Sequence, residues 1–219
     1  MSFKVLHEAT PWPSIDSIKP YHFPVDGGGR ELVFDIIQSF KEPLMIEIGC
    51  FLCGSTTQWL NSSNQLKVIG VDPWPDGDSI RPILERYNDN PVFDPCFSQI
   101  EDRDEFIKSA TDNGFYRTAL ANISKYRDRF VPFRGKSPTV LQTLKDEWHI
   151  DPHIIYIDAN KVSDDLEVSH QLFPDALLCG DDWTWGKDQG FPMRKAVYAF
   201  IEKHGFEVEA RRATWAIRK

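Results

Sequence analysis

Short apolar runs alternate along most of this chain with segments in which apolar residues recur at helical spacing. Runs such as 44–49 and 154–158 have the length and composition of buried strands, and 30–40 repeats apolar residues three and four positions apart. Strands that alternate with helices predict an α/β, doubly wound sheet. The strands are predicted over 44–49, 66–72, 130–133, 154–158, 176–181, 206–210 and 213–218. The helices are predicted over 30–40, 55–60, 119–129, 139–148, 164–172 and 193–204.

Two segments fall outside this alternation. Residues 1–27 are rich in proline and aromatic residues, and we interpret them as an irregular arm. Residues 73–115 contain five prolines, many charges and short helical pieces such as 104–109, which is typical of a cap or lid inserted between core elements. The chain, residues 1–219, is otherwise predicted to be a single domain.

The charge balance is acidic, with 25 Lys and Arg against 33 Asp and Glu, a net charge of −8 and a pI of about 5.2. Nucleic-acid binding needs clustered Lys and Arg, so this balance argues against it and fits an enzyme of small molecules. Four cysteines in 219 residues suggest a reduced, cytoplasmic protein. No apolar run approaches the ~18 residues of a membrane span, so we expect no membrane partner.

Acidic residues stand at or next to the carboxyl ends of four predicted strands. They are Glu47, Asp72, Asp158 and Asp181. Ligands of parallel α/β sheets bind beyond these strand ends. The sequence therefore predicts a functional site at one edge of the sheet.

The segment EIGCFLCGST, from Glu47 to Thr56, joins the first predicted strand to its helix. Gly49 permits a tight turn, but the spacing is not G-x-G-x-x-G, so a pyrophosphate cradle is only weakly indicated. Glu47 favours a cationic ligand, and S-adenosylmethionine carries a sulfonium, an ammonium group and no phosphate. Asp72, 18 residues after Gly54, is placed to accept both ribose hydroxyls of such a ligand.

This loop and the run VIGVDPW, which ends at Trp74, resemble the class I S-adenosylmethionine-dependent methyltransferases. The resemblance covers roughly residues 30–72 and 116–219. It implies a Rossmann-like, mostly parallel seven-stranded sheet with an antiparallel terminal strand and a cap insertion. It also implies that the chain binds S-adenosylmethionine.

The same resemblance assigns roles to individual residues. Glu47 and the loop glycines would hold the methionine part of the cofactor, Ser55 would meet its carboxylate, and Asp72 would bind the ribose. Trp74 would flank the adenine, or merely pack in the cap. The implied cofactor-binding residues are Glu47, Gly49, Gly54, Ser55, Thr56, Asp72, Trp74, Gly135, Ser137 and Asp158, with Gly135 and Ser137 in a segment similar to the family's adenine-edge loop.

The spacing of Cys50 and Cys53 leaves a second hypothesis open. A C-x-x-C pair between a strand and a helix can be a redox dithiol, because a helix N-terminus lowers the pKa of a thiol. Glu47 nearby would raise the pKa of both thiols and oppose such reactivity. We therefore interpret the pair as two small buried residues.

A second group of acids, Asp158, Asp181 and Asp182, follows two neighbouring predicted strands. Three converging carboxylates repel one another, and a hard divalent cation such as Mg²⁺ would relieve the repulsion. The pattern resembles the metal-dependent O-methyltransferases of the catechol/caffeoyl-CoA and macrolide-sugar types. The resemblance implies these three acids as metal ligands, with Lys161 at the position of the general base and Asp158 beside it. Alternatively, the acids cap a turn and Lys161 is a surface residue.

The sequence thus predicts an S-adenosylmethionine-dependent O-methyltransferase that acts on a hydroxyl of a small molecule (a phenol, a sugar or a natural product) with help from Mg²⁺ or another divalent cation. Methyl transfer is an in-line displacement, in which placement of donor and acceptor supplies much of the rate. An S-adenosylmethionine-fold protein without metal-dependent methyl transfer is one alternative, and a dithiol oxidoreductase is another. We expect the partner to be a small-molecule acceptor and not a nucleic acid. A homodimer is one of the oligomeric states that we consider.

Overall fold

The computed structural model describes residues 3–21, 28–75, 103–159 and 164–219. Its helices are α1 (Phe3–Ala9), α2 (Glu31–Gln38), α3 (Gly54–Ser62), α4 (Arg103–Asn122), α5 (Ser137–Asp146), α6 (Asp164–Leu172) and α7 (Pro192–His204), with short 3₁₀ helices at Ser124–Arg129 and Lys187–Gln189. Its strands are β1 (Leu44–Ile48), β2 (Lys67–Asp72), β3 (Phe130–Arg134), β4 (Ile154–Ile157), β5 (Leu177–Gly180), β6 (Glu207–Arg211) and β7 (Thr214–Arg218).

The seven described strands form one sheet in the order β3-β2-β1-β4-β5-β7-β6. Strands β1 to β5 run parallel to one another, whereas β7 is antiparallel to both β5 and β6. This arrangement confirms the predicted Rossmann-like, mostly parallel sheet with an antiparallel terminal strand. The strand order reverses between β1 and β4, and such a switch point is where open α/β sheets bind their ligands.

The sheet is buried on both faces. Side chains of successive strand residues point to opposite sides, and both sets lie in a hydrophobic core. In β1, Met45 belongs to the core cluster on one face, together with Trp59 and Tyr156. Ile46 belongs to the cluster on the other face, together with Leu141. Strand β1 is therefore apolar at every position except Glu47, because both faces of the sheet are covered.

The amino-terminal segment differs from the predicted irregular arm. Phe3–Ala9 is an α-helix, and it buries Phe3 and Leu6, one helical turn apart. Farther along, Trp12 and Tyr21 are buried in the main core. The prediction of an irregular arm is therefore wrong over Phe3–Ala9, and the described part of the segment packs as core.

Helix α4 crosses the predicted boundary of the cap at residue 115. It begins at Arg103 and ends at Asn122, with a kink at Gly114, whose φ is +80°. The helix predicted over 119–129 is thus the end of α4 followed by the 3₁₀ helix Ser124–Arg129. The stretch 76–102, most of the predicted insertion, lies outside the described residues. Among the helices that the structure describes, none is long and apolar enough to cross a membrane.

Candidate active site

The carboxyl ends of β1, β2, β4 and β5 bring the predicted acids to one edge of the sheet. Ile48 at the end of β1 is paired with Ile157 at the end of β4, and Ile157 is paired with Gly180 at the end of β5. Asp158 and Asp181 therefore follow directly on neighbouring strand ends. The backbone N–H of Asp158 donates to the Ile48 carbonyl at 2.8 Å, which extends the ladder to the edge.

The loop between β1 and α3 turns sharply at Gly49. This residue has a φ of +89°, and a Cβ atom at its position would lie 2.1 Å from the carbonyl oxygen of Asp158. Cys53 is also left-handed, with a φ of 62°, and α3 begins immediately after it, with Gly54, Ser55 and Thr56 buried in its first turn. The loop therefore lies directly on the end of β4, where no side chain at residue 49 fits.

Replacing Gly49 with alanine is expected to lower the free energy of unfolding by about 2–3 kcal/mol, because left-handed strain and a backbone clash both act there. Gly205, which ends α7, is a matched control: its φ is +72°, and a Cβ atom there would meet nothing within 4 Å. Gly205→Ala is expected to lose only about 1 kcal/mol. Urea unfolding of both variants measures the difference, and equal losses would contradict the close approach at Gly49.

The carboxylate of Asp72 joins the two loops that follow β1 and β2. One of its oxygens accepts the backbone N–H of Phe51 at 2.9 Å, and the other accepts the backbone N–H of Trp74 at 2.7 Å. Burial raises the pKa of Asp72, and the backbone N–H groups of Phe51, Trp74 and Cys50 oppose that rise. A carboxylate offers about four acceptor positions, of which these three backbone N–H groups use three, so the residue can hold the loop and still accept a hydroxyl.

Trp74 is buried beside Asp72 rather than open to the cleft. Its indole N–H donates to the Phe51 carbonyl at 2.7 Å, and its ring centroid lies 5.3 Å from that of Tyr116 in α4. Arg134 donates to the Trp74 carbonyl at 2.7 Å. The contacts match the packing alternative, and contact with an adenine stays a prediction.

The predicted adenine-edge residues lie beyond β3. The Gly135 backbone N–H donates to the Asp72 carbonyl at 3.0 Å, which places this loop next to the end of β2. Ser137, the first residue of α5, hydrogen-bonds through its hydroxyl to the buried carboxyl group of Asp165 in α6. Burial raises the pKa of Asp165, and the bond from Ser137 opposes that rise. Gly135 therefore borders the site, while the Ser137 side chain is engaged with α6.

Glu47 is completely buried beneath α3. The Thr56 hydroxyl donates to one carboxyl oxygen at 2.5 Å, and the Trp59 indole N–H donates to the other at 3.2 Å. Burial raises the pKa of Glu47 to about 8, against the opposing hydrogen bonds from Thr56 and Trp59. Glu47 is therefore mostly protonated at neutral pH and, as placed, fastens α3 to the sheet.

Sequence reasoning missed Arg30, the residue before α2. One terminal nitrogen of its guanidinium lies 2.5 Å from a carboxylate oxygen of Asp181, and the other donates to the hydroxyl of Tyr156. The guanidinium also lies 5.3 Å from the centre of the Trp59 ring. Arg30 and Asp181 are both buried, at 8% exposure each, so this is a buried ion pair at the end of β5.

The signal that could have pointed to Arg30 is the glycine run that precedes it. Gly29 has a φ of +82°, and a Cβ atom there would lie 1.8 Å from the carbonyl oxygen of Arg211. The Thr214 hydroxyl donates to the Gly28 carbonyl at 3.0 Å. The turn at Gly28 and Gly29 therefore packs against the β6–β7 hairpin, and this contact positions Arg30 next to Asp181 at the end of β5.

The predicted metal ligands are arranged differently from a metal site. Asp181 is paired with Arg30, and Asp182 lies in a turn with a φ of 66°, its carbonyl accepting the Trp185 backbone N–H at 3.1 Å. Among the described residues no group of three His, Cys, Asp or Glu side chains is arranged to hold a metal ion. A divalent cation bound by Asp181 would lie close to the guanidinium, which would repel it. As they are placed, the described donors therefore form no site for a divalent cation, and Asp181 is held by Arg30 instead. Lys161, the predicted base, lies outside the described residues.

The described cysteines are free and buried. Burial, and after it the charge of Glu47, raises the pKa of both Cys50 and Cys53 well above the ordinary value. A redox dithiol needs a thiolate, and its pKa is lowered rather than raised. The environment therefore favours two inert thiols over the oxidoreductase hypothesis.

Comparison with solved structures places this fold among methyltransferases. A proposed caffeoyl-CoA O-methyltransferase from Staphylococcus aureus is similar at a TM-score of 0.56 and 14% identity, over 100% of this chain and 93% of the other. The O-methyltransferase TomG from Streptomyces achromogenes, solved with S-adenosylmethionine, gives a TM-score of 0.55 and 14% identity over 89% and 80%. The S-adenosylhomocysteine-bound methyltransferase PaMTH1 from Podospora anserina gives 0.53 and 15% over 87% and 76%.

No protein-family model matches the sequence, and no protein with a curated description is significantly similar to it. The likeness therefore lies in the three-dimensional arrangement, at a level of identity where it shows the fold. The resemblance found in the sequence is confirmed to that extent: this chain has the same Rossmann-like fold as these three methyltransferase structures.

Proposed function

We propose that this chain is an S-adenosylmethionine-dependent methyltransferase that transfers a methyl group to a hydroxyl of a small molecule. The observation that carries the proposal is the loop at Gly49, closed onto the carboxylate of Asp72 at the switch point of a methyltransferase fold. A glycine turn beside an acid at the end of the next strand is the arrangement that binds ribose-containing ligands in such sheets.

The described residues suit this cofactor. Gly49 and Gly54 bring backbone close to the ligand without side chains, and the free N–H groups at the start of α3 would meet the carboxylate of the methionine part beside Ser55. Asp72 would accept a ribose hydroxyl through its remaining acceptor position. Gly135 would border the adenine. Of the predicted set, Glu47, Thr56, Trp74 and Ser137 would support these contacts from beneath.

The cofactor, when bound, supplies an electrophilic methyl group, and the chain supplies placement. The fixed backbone at Gly49 and the end of β4 would hold donor and acceptor in line, which accounts for much of the rate in such displacements. Asp158, carried at that strand end, would orient the acceptor hydroxyl or take its proton, and Lys161 is the other proposed base.

The acceptor is proposed to be a phenol, a sugar or a natural product, with no nucleic acid or membrane partner and a cytoplasmic location. A homodimer also stays a proposal. An S-adenosylmethionine-fold protein with a different activity is the second candidate, because Arg30 pairs with Asp181, one of the three predicted metal ligands.

We expect Asp72→Asn to weaken binding of S-adenosylhomocysteine by at least about tenfold, because an amide accepts fewer hydrogen bonds than a carboxylate. Asp128→Asn, on the surface, removes the same charge and should leave binding unchanged. Isothermal titration with S-adenosylhomocysteine, and with NAD as comparison ligand, measures both variants and the parent chain. Melting temperatures recorded beside the titrations separate weakened binding from a loosened loop.

The proposal is contradicted if the parent chain binds no S-adenosylhomocysteine, or binds NAD as tightly. If binding occurs, methyl transfer is assayed with labelled S-adenosylmethionine against catechols, flavonoid-like phenols and sugar diols. Binding without transfer to any hydroxyl in that panel would favour the second candidate.

A further inference from the structure

The acids at the ends of β4 and β5 already hold a cation. Arg30 lies 2.5 Å from Asp181, and the charge of Asp158 also acts on its guanidinium. Both members of the close pair are about nine-tenths buried. Part of the positive charge that these carboxylates require is therefore supplied by the chain itself.

The guanidinium is fixed in place by more than the ion pair. It donates to the hydroxyl of Tyr156, itself fully buried, and it faces the ring of Trp59 at 5.3 Å. The backbone before it is held by the close approach of Gly29 to Arg211. A planar guanidinium with these contacts cannot swing aside as a surface lysine can.

Arg30 offsets one of the three acids at this edge, which are Asp158, Asp181 and Asp182. Arginine keeps its proton throughout the physiological range, so it offsets one carboxylate at any working pH. A divalent cation held by Asp181 would lie close to the guanidinium of Arg30, and the two positive charges would repel each other.

We propose that Arg30 is the resident counter-cation of this acid cluster and that methyl transfer by this chain therefore proceeds without a divalent metal. Arg30 is a positioning residue, which acts through Asp181 and Tyr156. The second half of the proposal rests on the proposed function, and the first half rests on the ion pair alone.

The decisive measurement needs no variant. The full chain, freed of metals with a chelator, is titrated with Mn²⁺, and free Mn²⁺ is followed by electron paramagnetic resonance with and without S-adenosylhomocysteine. We expect the free Mn²⁺ signal to match that of buffer at equimolar protein. Turnover, where an acceptor is known, should change by less than about twofold when EDTA replaces Mg²⁺.

Variants test whether the guanidinium is the cause. Arg30→Met removes the charge at similar length and should allow uptake of Mn²⁺ beside Asp181. Arg30→Lys keeps the charge and should exclude Mn²⁺ as the parent does. Arg218→Met is the matched control, because Arg218 is paired with Glu209 at 2.6 Å on the surface. Circular dichroism establishes that each variant is folded.

One Mn²⁺ bound per parent chain would overturn the proposal, as would turnover that falls more than about tenfold in EDTA and returns with Mg²⁺. A folded Arg30→Met that binds no more Mn²⁺ than Arg218→Met would overturn it too. If the chain binds no S-adenosylhomocysteine, the proposed function fails, whereas the Mn²⁺ titration still decides the role of Arg30.

Discussion

Between pH 4.5 and pH 8, Glu47 is expected to reduce the free energy of unfolding by roughly 4–5 kcal/mol. Burial raises the pKa of Glu47 from 4.5 to about 8, so the folded chain keeps a proton that the unfolded chain releases above pH 4.5. Each pKa unit corresponds to about 1.36 kcal/mol. Stability from this group is therefore full below pH 4.5, falls as the pH rises, and levels off above pH 8.

Other groups change stability in different parts of the pH range. Burial raises the pKa of Asp72 and of Asp165, which adds to the decline at its acidic end. Burial lowers the pKa of His170, and His204 adds to that effect, so His170 contributes stability as the pH rises toward 6.5. The hydrogen bond from Lys203 lowers the pKa of Glu167, whose contribution is complete by pH 4.5. The total slope is thus a sum, and a variant is needed to isolate Glu47.

Glu47→Gln imitates the protonated acid, because its amide oxygen can accept from Trp59 while its NH₂ donates to Thr56. The Thr56 hydroxyl, which donates to the ionised carboxylate, turns to accept from the protonated acid or from the amide. The variant should match the parent chain near pH 4.5 and exceed it at pH 8 by roughly 4 kcal/mol, or about 10 °C in melting temperature for a chain of this size. Glu202→Gln, on the exposed side of α7, is the control. Urea unfolding across this range measures the effect, and parallel curves for both variants would refute a proton held by Glu47.

The sheet could be predicted from the sequence because its signals are local. The buried parallel strands are short apolar runs with a covered face on each side, and α6 was predicted with the bounds Asp164–Leu172 that it has. Helix α1 could not be predicted in the same way, because it buries only two residues, one turn apart, and belongs to a segment whose prolines indicate a loop. Its stability comes from packing on the core rather than from propensity.

The candidate site could likewise be predicted only where the order of the strands determines it. That Glu47, Asp72, Asp158 and Asp181 share one edge follows from chain order and from the rule that parallel strands end together. The partner of Asp181 does not, because Arg30 is 151 residues away and reaches it only through the contact of a glycine turn with the β6–β7 hairpin. Converging acids require a cation, but the sequence alone does not distinguish a metal from an arginine.

The ion pair of Arg30 and Asp181 is expected to contribute far more than a surface pair of the same length. Removing the charge in Arg30→Met should lower the free energy of unfolding by about 3–5 kcal/mol, because it leaves Asp181 buried without its counter-charge. Adding Asp181→Asn should restore part of that loss. The double-mutant cycle is expected to give a coupling energy of about 2–3 kcal/mol.

Arg218 and Glu209 provide the comparison. Their charged atoms lie 2.6 Å apart, against 2.5 Å for Arg30 and Asp181, but their side chains are 45% and 35% exposed, against 9% and 10%. Water screens the surface pair, so its cycle should give less than about 1 kcal/mol. The distances are almost the same, so burial is the main difference between the two pairs; Glu209 is also bound by Arg211 at 2.8 Å. Equal coupling energies in urea unfolding would mean that the Arg30 pair is hydrated, and Asp181 would then be open to other cations.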